Sequence, residues 1–244
     1  MDRQVYDRMR SLEDRHWWFA ARRDILADQI GRLGLRPDAD VLEVGCGTGG
    51  NLKMLSAFGA VIGLEPDDEA RAFAAEKAGA PMASGLLPGG LPFEPGRFDL
   101  VAALDVIEHV DEDAASVKAM AGLLKPGGYM VTTVPAYSWM WSRHDQLHHH
   151  KRRYGLAAYR KLFDAAGLSV RKASYFNTAL FAPIAAVRLA KLAFGIKGGD
   201  EEGMPGAVLN GLLRRLFSAE RLWLRAASFP FGVSILVIAQ RPAA

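Results

Sequence analysis

Three glycines that follow a short apolar stretch form the part of this sequence best suited to bind a small molecule. Gly45, Gly47 and Gly49 lack a Cβ, so their backbone can take positive φ values and lie directly against a ligand. The apolar residues at 41–44 favour a buried strand, and helical spacing resumes at Asn51. A ligand on this turn would meet backbone amides at the start of a helix, an arrangement that suits a nucleotide.

The glycine spacing alone is compatible with two kinds of cofactor. Gly45-x-Gly47-x-x-Gly50 fits the dinucleotide fingerprint, and Glu65 follows Gly45 by 20 residues, where an acid that binds ribose is expected. Glu43, immediately before the turn, argues for a different ligand, because its carboxylate would repel a pyrophosphate. The same carboxylate would attract a ligand that carries an ammonium or sulfonium group.

Alternating strand and helix patterns surround this turn and predict an α/β fold. We expect strands at 40–45, 60–65, 81–84, 98–104, 129–134, 168–176 and 234–240, and helices at 50–58, 67–78, 111–124 and 156–166. Asp68 is the expected N-cap of the second of these helices, and Gly79 its stop. We divide the chain into an N-terminal helical cap (1–34), a cofactor-binding core (35–177 and 231–244) and a helical insertion (178–230).

Composition excludes several classes of protein. Half of the 244 residues are apolar, and the net charge of +3 is too small to imply nucleic-acid binding. Cys46 is the only cysteine, so an intrachain disulfide and a cysteine metal site are both excluded. The charged residues 1–23 do not resemble a signal peptide, and the longest uncharged run, 173–187, is too short to span a bilayer. We expect a cytoplasmic protein, with contact to the inner face of the membrane left open.

Four motifs resemble those of class I S-adenosylmethionine-dependent methyltransferases, in the same order and spacing. They are Val-Leu-Glu-Val-Gly-Cys-Gly-Thr-Gly at 41–49, Gly-Leu-Glu-Pro at 63–66, Phe-Asp-Leu-Val-x-x-x-Asp-Val-Ile-Glu-His-Val at 98–110 and Leu-Lys-Pro-Gly-Gly at 124–128. The resemblance implies a doubly wound seven-stranded sheet of six parallel strands and an antiparallel last strand. It reduces the nicotinamide-dependent oxidoreductase to a minor alternative. His-Trp-Trp-Phe-x-x-Arg at 16–22 further resembles the front of a bacterial subgroup.

The resemblance also implies a binding site for S-adenosylmethionine. Glu43 would hold the amino-acid part of the cofactor, and Glu65 would accept both ribose hydroxyls. Trp18 and Arg22 either pack their helix on the core or form a lid in which the arginine reaches the cofactor carboxylate. Where the family usually has an acid near adenine, this chain has Ser84-Gly85-Leu86. The full expected set is Trp18, Arg22, Glu43, Gly45, Cys46, Gly47, Gly49, Glu65, Pro66, Ser84, Gly85, Leu86, Leu104 and Asp105.

The acceptor site is expected near the loop at 135–154, which follows the fifth strand. Methyl transfer from a sulfonium is an in-line displacement that needs a general base only for a weak acceptor such as a hydroxyl. The candidate catalytic residues are His109, His144, Asp145 and His148. A metal site at Asp105, Glu108 and His109 is an alternative on the pattern of ubiquinone-pathway O-methyltransferases, but we expect no metal.

The insertion at 178–230 allows two interpretations. It combines an apolar helical stripe (Leu209, Leu212, Leu213, Leu216 and Trp223) with arginines on the polar side (Arg214, Arg215, Arg221 and Arg225), and a link at 198–203 separates two helices. It is either a cap or a homodimer face, or a basic hairpin that lies on an anionic membrane.

Taken together, the motifs, the loop at 135–154 and the insertion predict a methyltransferase that acts on the oxygen of a small or lipid-linked acceptor. The rival is a cofactor-binding protein without transfer activity that assembles through 178–230.

Overall fold

The computed structural model describes residues 3–194 and 203–243, and a mixed sheet lies at its centre. The strands of the described chain are β1 Asp40–Val44, β2 Ala60–Leu64, β3 Met82–Ala83, β4 Phe98–Leu104, β5 Leu124–Pro135, β6 Ser169–Phe176 and β7 Ser234–Gln240. Their order is β3-β2-β1-β4-β5-β7-β6. Strand β7 lies between β5 and β6 and is antiparallel to both, as the family resemblance implies, and the other pairs are parallel.

Helices cover both faces of this sheet. Those of the described residues are α1 Arg3–Leu12, α2 Trp17–Ile30, α3 Leu52–Leu55, α4 Asp68–Ala78, α5 Asp113–Leu123, α6 Arg143–Leu147, α7 Leu156–Ala165, α8 Phe181–Ala193, α9 Ala207–Ser218 and α10 Glu220–Leu224. None of the helices in residues 3–194 and 203–243 is both long and apolar enough to cross a membrane.

The central strands are buried on both faces of the sheet, which explains why their sequences are almost continuously apolar. Leu42 and Val44 of β1 face one core, together with the aromatic residues of α7. Val41, the residue before Leu42, faces a second core that contains Ile25 of α2 and Phe217 of α9. The N-terminal cap and the insertion thus complete the helical layer on one face of the sheet. The division into three regions stays a prediction.

Four local expectations need correction. Asp67, not Asp68, caps α4, because its carboxylate accepts the amide of Ala70 at 2.9 Å. Strand β5 begins at residue 124 rather than 129, with a break in register against β4 where its glycines lie. A short helix, α6, lies inside the loop at 135–154. The insertion carries a third helix, α10, and most of the expected link at 198–203 lies outside the described residues.

Contacts between α2 and the insertion explain part of its charge pattern. Asn210 of α9 accepts the backbone amide of Trp17 at 2.8 Å. Arg214 lies 3.2 Å from Asp24, and Arg225 is paired with Asp28. Two of the four arginines that the sequence places on a polar face therefore bind acids of α2 instead of facing solvent alone.

Candidate functional site

The glycine turn connects β1 to α3. Gly45, Gly47 and Gly49 have φ values of 65°, 55° and 81°, a region that disfavours residues with a Cβ. A Cβ on Gly45 would also lie 2.8 Å from a methyl group of Val106. The amide of Gly45 donates to the carbonyl of Leu64 at 2.8 Å, which ties the turn to the end of β2.

Glu65, just after β2, is a buried acceptor at the edge of this turn. One carboxylate oxygen accepts the amide of Gly47 at 2.9 Å. The other accepts the amide of Asp67 at 3.1 Å and the hydroxyl of Tyr6 at 3.3 Å. Burial raises the pKa of Glu65, and these hydrogen bonds partly oppose that shift. Helix α1 therefore lies over the carboxylate that the sequence assigns to ribose.

Glu43 is more deeply buried and only half satisfied. Its side chain is 1% exposed, and one oxygen accepts the amide nitrogen of Asn51 at 2.8 Å. The second oxygen, Oε2, has no hydrogen-bond partner among the residues that the structure describes. Burial raises the pKa of Glu43 to about 8. An unpaired buried carboxylate is costly, so this oxygen is suited to receive a cationic or hydrogen-bonding ligand.

Arg22 of α2 reaches the end of β4. Its guanidinium lies 3.0 Å from a carboxylate oxygen of Asp105 and donates to the hydroxyl of Thr133 at 3.2 Å. That hydroxyl donates to the second oxygen of Asp105 at 3.0 Å, and Asp105 has a φ of 60°. The Nε atom of Arg22 is buried without a partner in the described part of the chain. Trp18 lies beside the guanidinium, 5.1 Å from ring centre to Cζ.

Residues of the N-terminal motif contact both the core and the carboxyl end of β4. Arg22 is almost fully buried, and its guanidinium lies 3.0 Å from Asp105. His16 caps α2 by accepting the amide of Trp18 at 3.3 Å, and Trp17 contacts Phe217 with ring centres 6.0 Å apart. The resemblance of this motif to one bacterial subgroup stays a prediction.

The remaining predicted cofactor residues differ in exposure. Cys46 and Leu104 are buried, and burial raises the pKa of the Cys46 thiol far above its usual range. Pro66 and Ser84 are exposed, and Leu86 is 64% exposed beyond the end of β3. Gly85 is half-buried next to them. Pro66 follows β2 and the other three follow β3, whereas Asp105 follows β4, on the opposite side of β1 in the sheet.

Several residues near the turn carry no local signal in the sequence. Glu13 accepts the hydroxyl of Thr48 at 2.8 Å and the ammonium of Lys77 at 2.7 Å, which fastens the α1–α2 junction to the turn and to α4. Tyr6 reaches Glu65 from within α1. Of the residues that contact Glu43, Glu65 or the turn, Asn51 could have been identified from the sequence, since it lies within the glycine motif itself. The others are brought there by the packing of the N-terminal helices.

The loop at 135–154 lies across the carboxyl end of β4. The backbone amide of Lys151 donates to the carbonyl of Glu108 at 2.7 Å. At the base of the loop, the amide of Tyr137 donates to the carbonyl of Tyr154 at 2.8 Å. The loop therefore occupies the edge where the acceptor site is expected. Its aromatic half instead turns toward β6, where Tyr137 stacks on Tyr175 with ring centres 5.1 Å apart.

Asp145 is held in a buried ion pair, which does not suit the catalytic role predicted for it. Arg153 donates to both of its oxygens, at 2.7 and 3.0 Å. Nδ1 of His150 lies 2.8 Å from one oxygen, and the amide of Ser142 donates to the other at 2.8 Å. These donors hold the pKa of Asp145 well below its usual range. The carboxylate is therefore a weak base, and its contacts indicate that it positions the loop.

His109 and its neighbour Glu108 follow β4 in a short 3-10 turn. Burial and the nearby His150 and His148 lower the pKa of His109 to about 3, so its imidazole is neutral and weakly basic. Glu108 is fully buried, and burial raises its pKa well above the usual range. The predicted catalytic His144 and His148 lie on the adjacent α6 and its C-cap, with ring centres 4.0 Å apart.

The site fits a nucleoside cofactor that carries both a positive charge and an α-carboxylate. Glu43 supplies an unpaired buried oxygen, and Glu65 supplies a second acceptor on the other side of the turn. Arg22 supplies a buried cation beside Asp105. The positive φ values leave a backbone surface without a Cβ between these charges.

Comparison with known proteins identifies the class. Residues 18–173, more than half of the chain, match the model of a methyltransferase domain family, and the chain belongs to that family. The fold is that of the S-adenosylmethionine-dependent methyltransferases, and S-adenosylmethionine is the cofactor of this class. The minor alternative, a nicotinamide-dependent oxidoreductase, does not agree with this family.

Two similar curated proteins are O-methyltransferases. The ubiquinone biosynthesis O-methyltransferase of Serratia proteamaculans is 35% identical over 100 residues, 38% of this chain and 41% of that protein. The chloroplastic tocopherol O-methyltransferase of Arabidopsis thaliana is 39% identical over 99 residues, 37% of this chain and 28% of that protein. The matches thus cover less than half the length of either relative.

A solved structure supports the fold over the whole chain. A chain from the complex between the Haloferax volcanii Trm112 methyltransferase activator and a methyltransferase superposes with a TM-score of 0.65. It covers 99% of this chain and 96% of its own length at 20% identity. At that identity the similarity defines the architecture and not the substrate.

Proposed function

We propose that this chain transfers a methyl group from S-adenosylmethionine to a hydroxyl oxygen of a small or lipid-linked acceptor. The observation that carries the proposal is the pair of buried carboxylates, Glu43 and Glu65, on either side of a glycine turn with positive φ values. The names of the two curated relatives support oxygen as the methylated atom.

In this proposal the residues of the turn bind and orient the cofactor. Glu65 accepts the two ribose hydroxyls, which requires Tyr6 to release the oxygen that it now contacts. Glu43 faces the amino-acid part, and Arg22 provides the cation for the carboxylate of that part. The cofactor supplies an electrophilic methyl group on its sulfonium. Asp105 and Leu104, at the end of β4, border the side from which that group is taken.

A hydroxyl acceptor needs a group that removes its proton, and the loop at 135–154 offers the nearest histidines. His109 and Asp145 are weak bases for the reasons given above, so they suit positioning better than proton transfer. The general-base role of His144 and His148 stays a prediction.

A lipid-linked acceptor is supported by the apolar surface of the insertion. Helices α8, α9 and α10 expose large apolar side chains, although α9 also buries Phe217 and pairs Arg214 with α2. The exposed set comprises Val187, Leu189, Phe194, Val208, Leu209, Leu212, Leu216, Leu222 and Trp223. Apolar surface on this scale is typical of an interaction face. We infer that it contacts the membrane in which a lipid-linked acceptor resides, and a homodimer is the competing occupant.

Calorimetric titration with S-adenosylmethionine tests the cofactor assignment. We expect Glu65→Ala to weaken binding by at least about tenfold, because a charge-assisted hydrogen bond contributes roughly 1.5–3 kcal/mol. Glu94→Gln, an exposed acid in the loop before β4, is the matched control and should bind normally. Unchanged affinity in Glu65→Ala would contradict the assignment.

The acceptor and the membrane are tested separately. Incubation with hydroquinones that carry short or long prenyl chains, followed by detection of S-adenosylhomocysteine, should give product methylated on oxygen. Flotation with anionic vesicles should recover the wild type and lose a variant in which Leu212, Leu216 and Trp223 are replaced by serine. Equal flotation of both, or a dimer that the same substitutions dissociate, would contradict membrane contact.

A further inference from the structure

Three histidines of the loop at 135–154 come together on one side of α6. His144 and His148 are one helical turn apart, and His150 follows with ring centres 5.6 and 5.8 Å from theirs. One ring nitrogen of each histidine lies within 4.8 Å of the other two. That separation lets a single metal ion reach all three after small rotations of the rings.

Glu108 provides an independent observation at the same place. Its carboxylate lies within 4.8 Å of ring nitrogens of His109 and His150, so it borders the histidine cluster from the end of β4. The side chain is fully buried, and neither oxygen has a hydrogen-bond partner in the ranges 3–194 and 203–243. Burying a carboxylate without a partner is strongly unfavourable. A cation between Glu108 and the histidines would remove that cost.

The orientation of His150 is fixed from behind. Its Nδ1 lies 2.8 Å from Asp145, a carboxylate that can only accept, so Nδ1 carries the proton and the lone pair lies on Nε2. Asp145 is itself held by Arg153 at 2.7 Å. A carboxylate behind a histidine is the usual outer-shell arrangement of metal-binding imidazoles, because it fixes the ring and increases its basicity.

From these contacts we propose that His144, His148 and His150 bind one divalent transition-metal ion of the zinc type, and that the carboxylate of Glu108, which now lies beside His150 and His109, shifts toward this ion to become the charged fourth ligand. Three imidazoles and one carboxylate suit zinc or a neighbouring transition metal, whereas magnesium and calcium prefer sites built from oxygen. The ion would fasten the loop at 135–154 to the end of β4. Metal binding would exclude a general-base role for His144 and His148, because a ring nitrogen that binds the ion has no lone pair left to accept a proton.

This site shares Glu108 with the arrangement of Asp105, Glu108 and His109 that the sequence offers as an alternative, but its other ligands are different. Asp105 already contacts Arg22 and Thr133, each at 3.0 Å. It belongs neither to the cluster of His144, His148 and His150 nor to the group of Glu108, His109 and His150. The proposed site uses histidines that follow β5. It does not depend on methyl transfer, because metal binding is measured on the protein alone.

Zinc titration of chelator-treated full-length protein, in competition with a chromogenic chelator, tests the proposal. We expect one zinc ion per chain, and an affinity at least about 100-fold lower in the double variant His144→Gln, His148→Gln. Glu108→Gln should bind at least about tenfold more weakly, and Asp145→Asn about 10–100-fold more weakly through His150. His149→Asn is the matched control: His149 is exposed, has a φ of 56° that asparagine tolerates, and should leave zinc affinity unchanged.

A second measurement does not depend on any variant folding. X-ray absorption of the zinc-loaded wild type should show a zinc ion of low coordination number, with three imidazole ligands and one oxygen ligand. The melting temperature of the wild type and of His149→Asn should rise with zinc, and that of the double variant should not. Absence of zinc binding by the wild type, an oxygen-only zinc environment, or equal affinity in the wild type and the folded double variant would overturn the proposal.

Discussion

Tyr6 donates a hydrogen bond to Glu65 across 59 residues of chain, at a distance of 3.3 Å. The contact places the first helix on the carboxylate that is assigned to the ribose hydroxyls. A ligand that needs both oxygens of Glu65 must displace the tyrosine hydroxyl. The N-terminal helices therefore have two separate relationships to the site, since α2 brings Arg22 toward it while α1 covers part of it.

We predict that Tyr6→Phe increases the affinity for S-adenosylmethionine. The substitution removes only the hydroxyl, and a hydrogen bond of this kind contributes about 0.5–1.5 kcal/mol, so the dissociation constant should fall by roughly 2- to 10-fold. Isothermal titration calorimetry measures it directly. Tyr129→Phe, a half-buried tyrosine of β5, is the control. Weaker binding in Tyr6→Phe would mean that the hydroxyl contacts the cofactor rather than competing with it.

We predict that Glu43→Gln makes stability less dependent on pH. Burial raises the pKa of Glu43 from 4.5 to about 8, so the folded state holds a proton that the unfolded state releases. The resulting stability is present below about pH 4.5 and is lost as the pH rises through about 8. At about 1.4 kcal/mol per pKa unit, the loss amounts to several kcal/mol at most.

Urea unfolding at pH 5.5 and pH 8.5 checks this prediction. The wild type should lose more unfolding free energy between the two values than Glu43→Gln does. Some loss should remain in the variant, because burial also raises the pKa of Glu65 and of Glu108. The exposed Glu94→Gln should behave as the wild type. Identical dependence of the unfolding free energy on pH in Glu43→Gln and the wild type would show that the pKa of Glu43 is not raised in the folded state.

Arg22→Gln should distinguish binding of the cofactor carboxylate from simple packing. If Arg22 binds that carboxylate, S-adenosylhomocysteine should bind about 10- to 100-fold more weakly, as expected for a hydrogen bond to a charged group. Methylthioadenosine, which lacks the carboxylate, should bind the variant and the wild type alike. An equal loss for both ligands would instead indicate that Arg22 only supports the fold. Arg36→Gln, whose side chain is exposed, controls for the change in net charge.

Asp145→Asn should reduce the unfolding free energy by about 3–5 kcal/mol, because it leaves the buried guanidinium of Arg153 without its counter-charge. Chemical denaturation in the presence of a chelator measures this effect without any contribution from bound metal. Asp164→Asn breaks the half-exposed pair with Arg160 on α7 and should change stability by less than about 1 kcal/mol. Similar small losses in both variants would show that the buried pair does not stabilise the loop.

The sequence by itself determined the turn and the mostly parallel arrangement of the sheet. Positive φ values at Gly45, Gly47 and Gly49 follow from the residue type, and a buried parallel sheet follows from alternating apolar strands and helices. The position of β7 agreed with the family resemblance. These features are local or repeat along the chain, so neighbouring residues suffice to specify them.

Only the tertiary structure decided which distant side chains meet. No local pattern brings Tyr6 to Glu65, and none brings His150 together with Glu108. Asp145, a candidate general base, instead forms a buried ion pair, because Arg153 donates a hydrogen bond to its carboxylate at 2.7 Å. The insertion, predicted to present its arginines to solvent or membrane, pairs two of them with α2. Such contacts depend on how helices pack against the sheet, and packing is set by the complementary shape and charge of segments far apart in the chain.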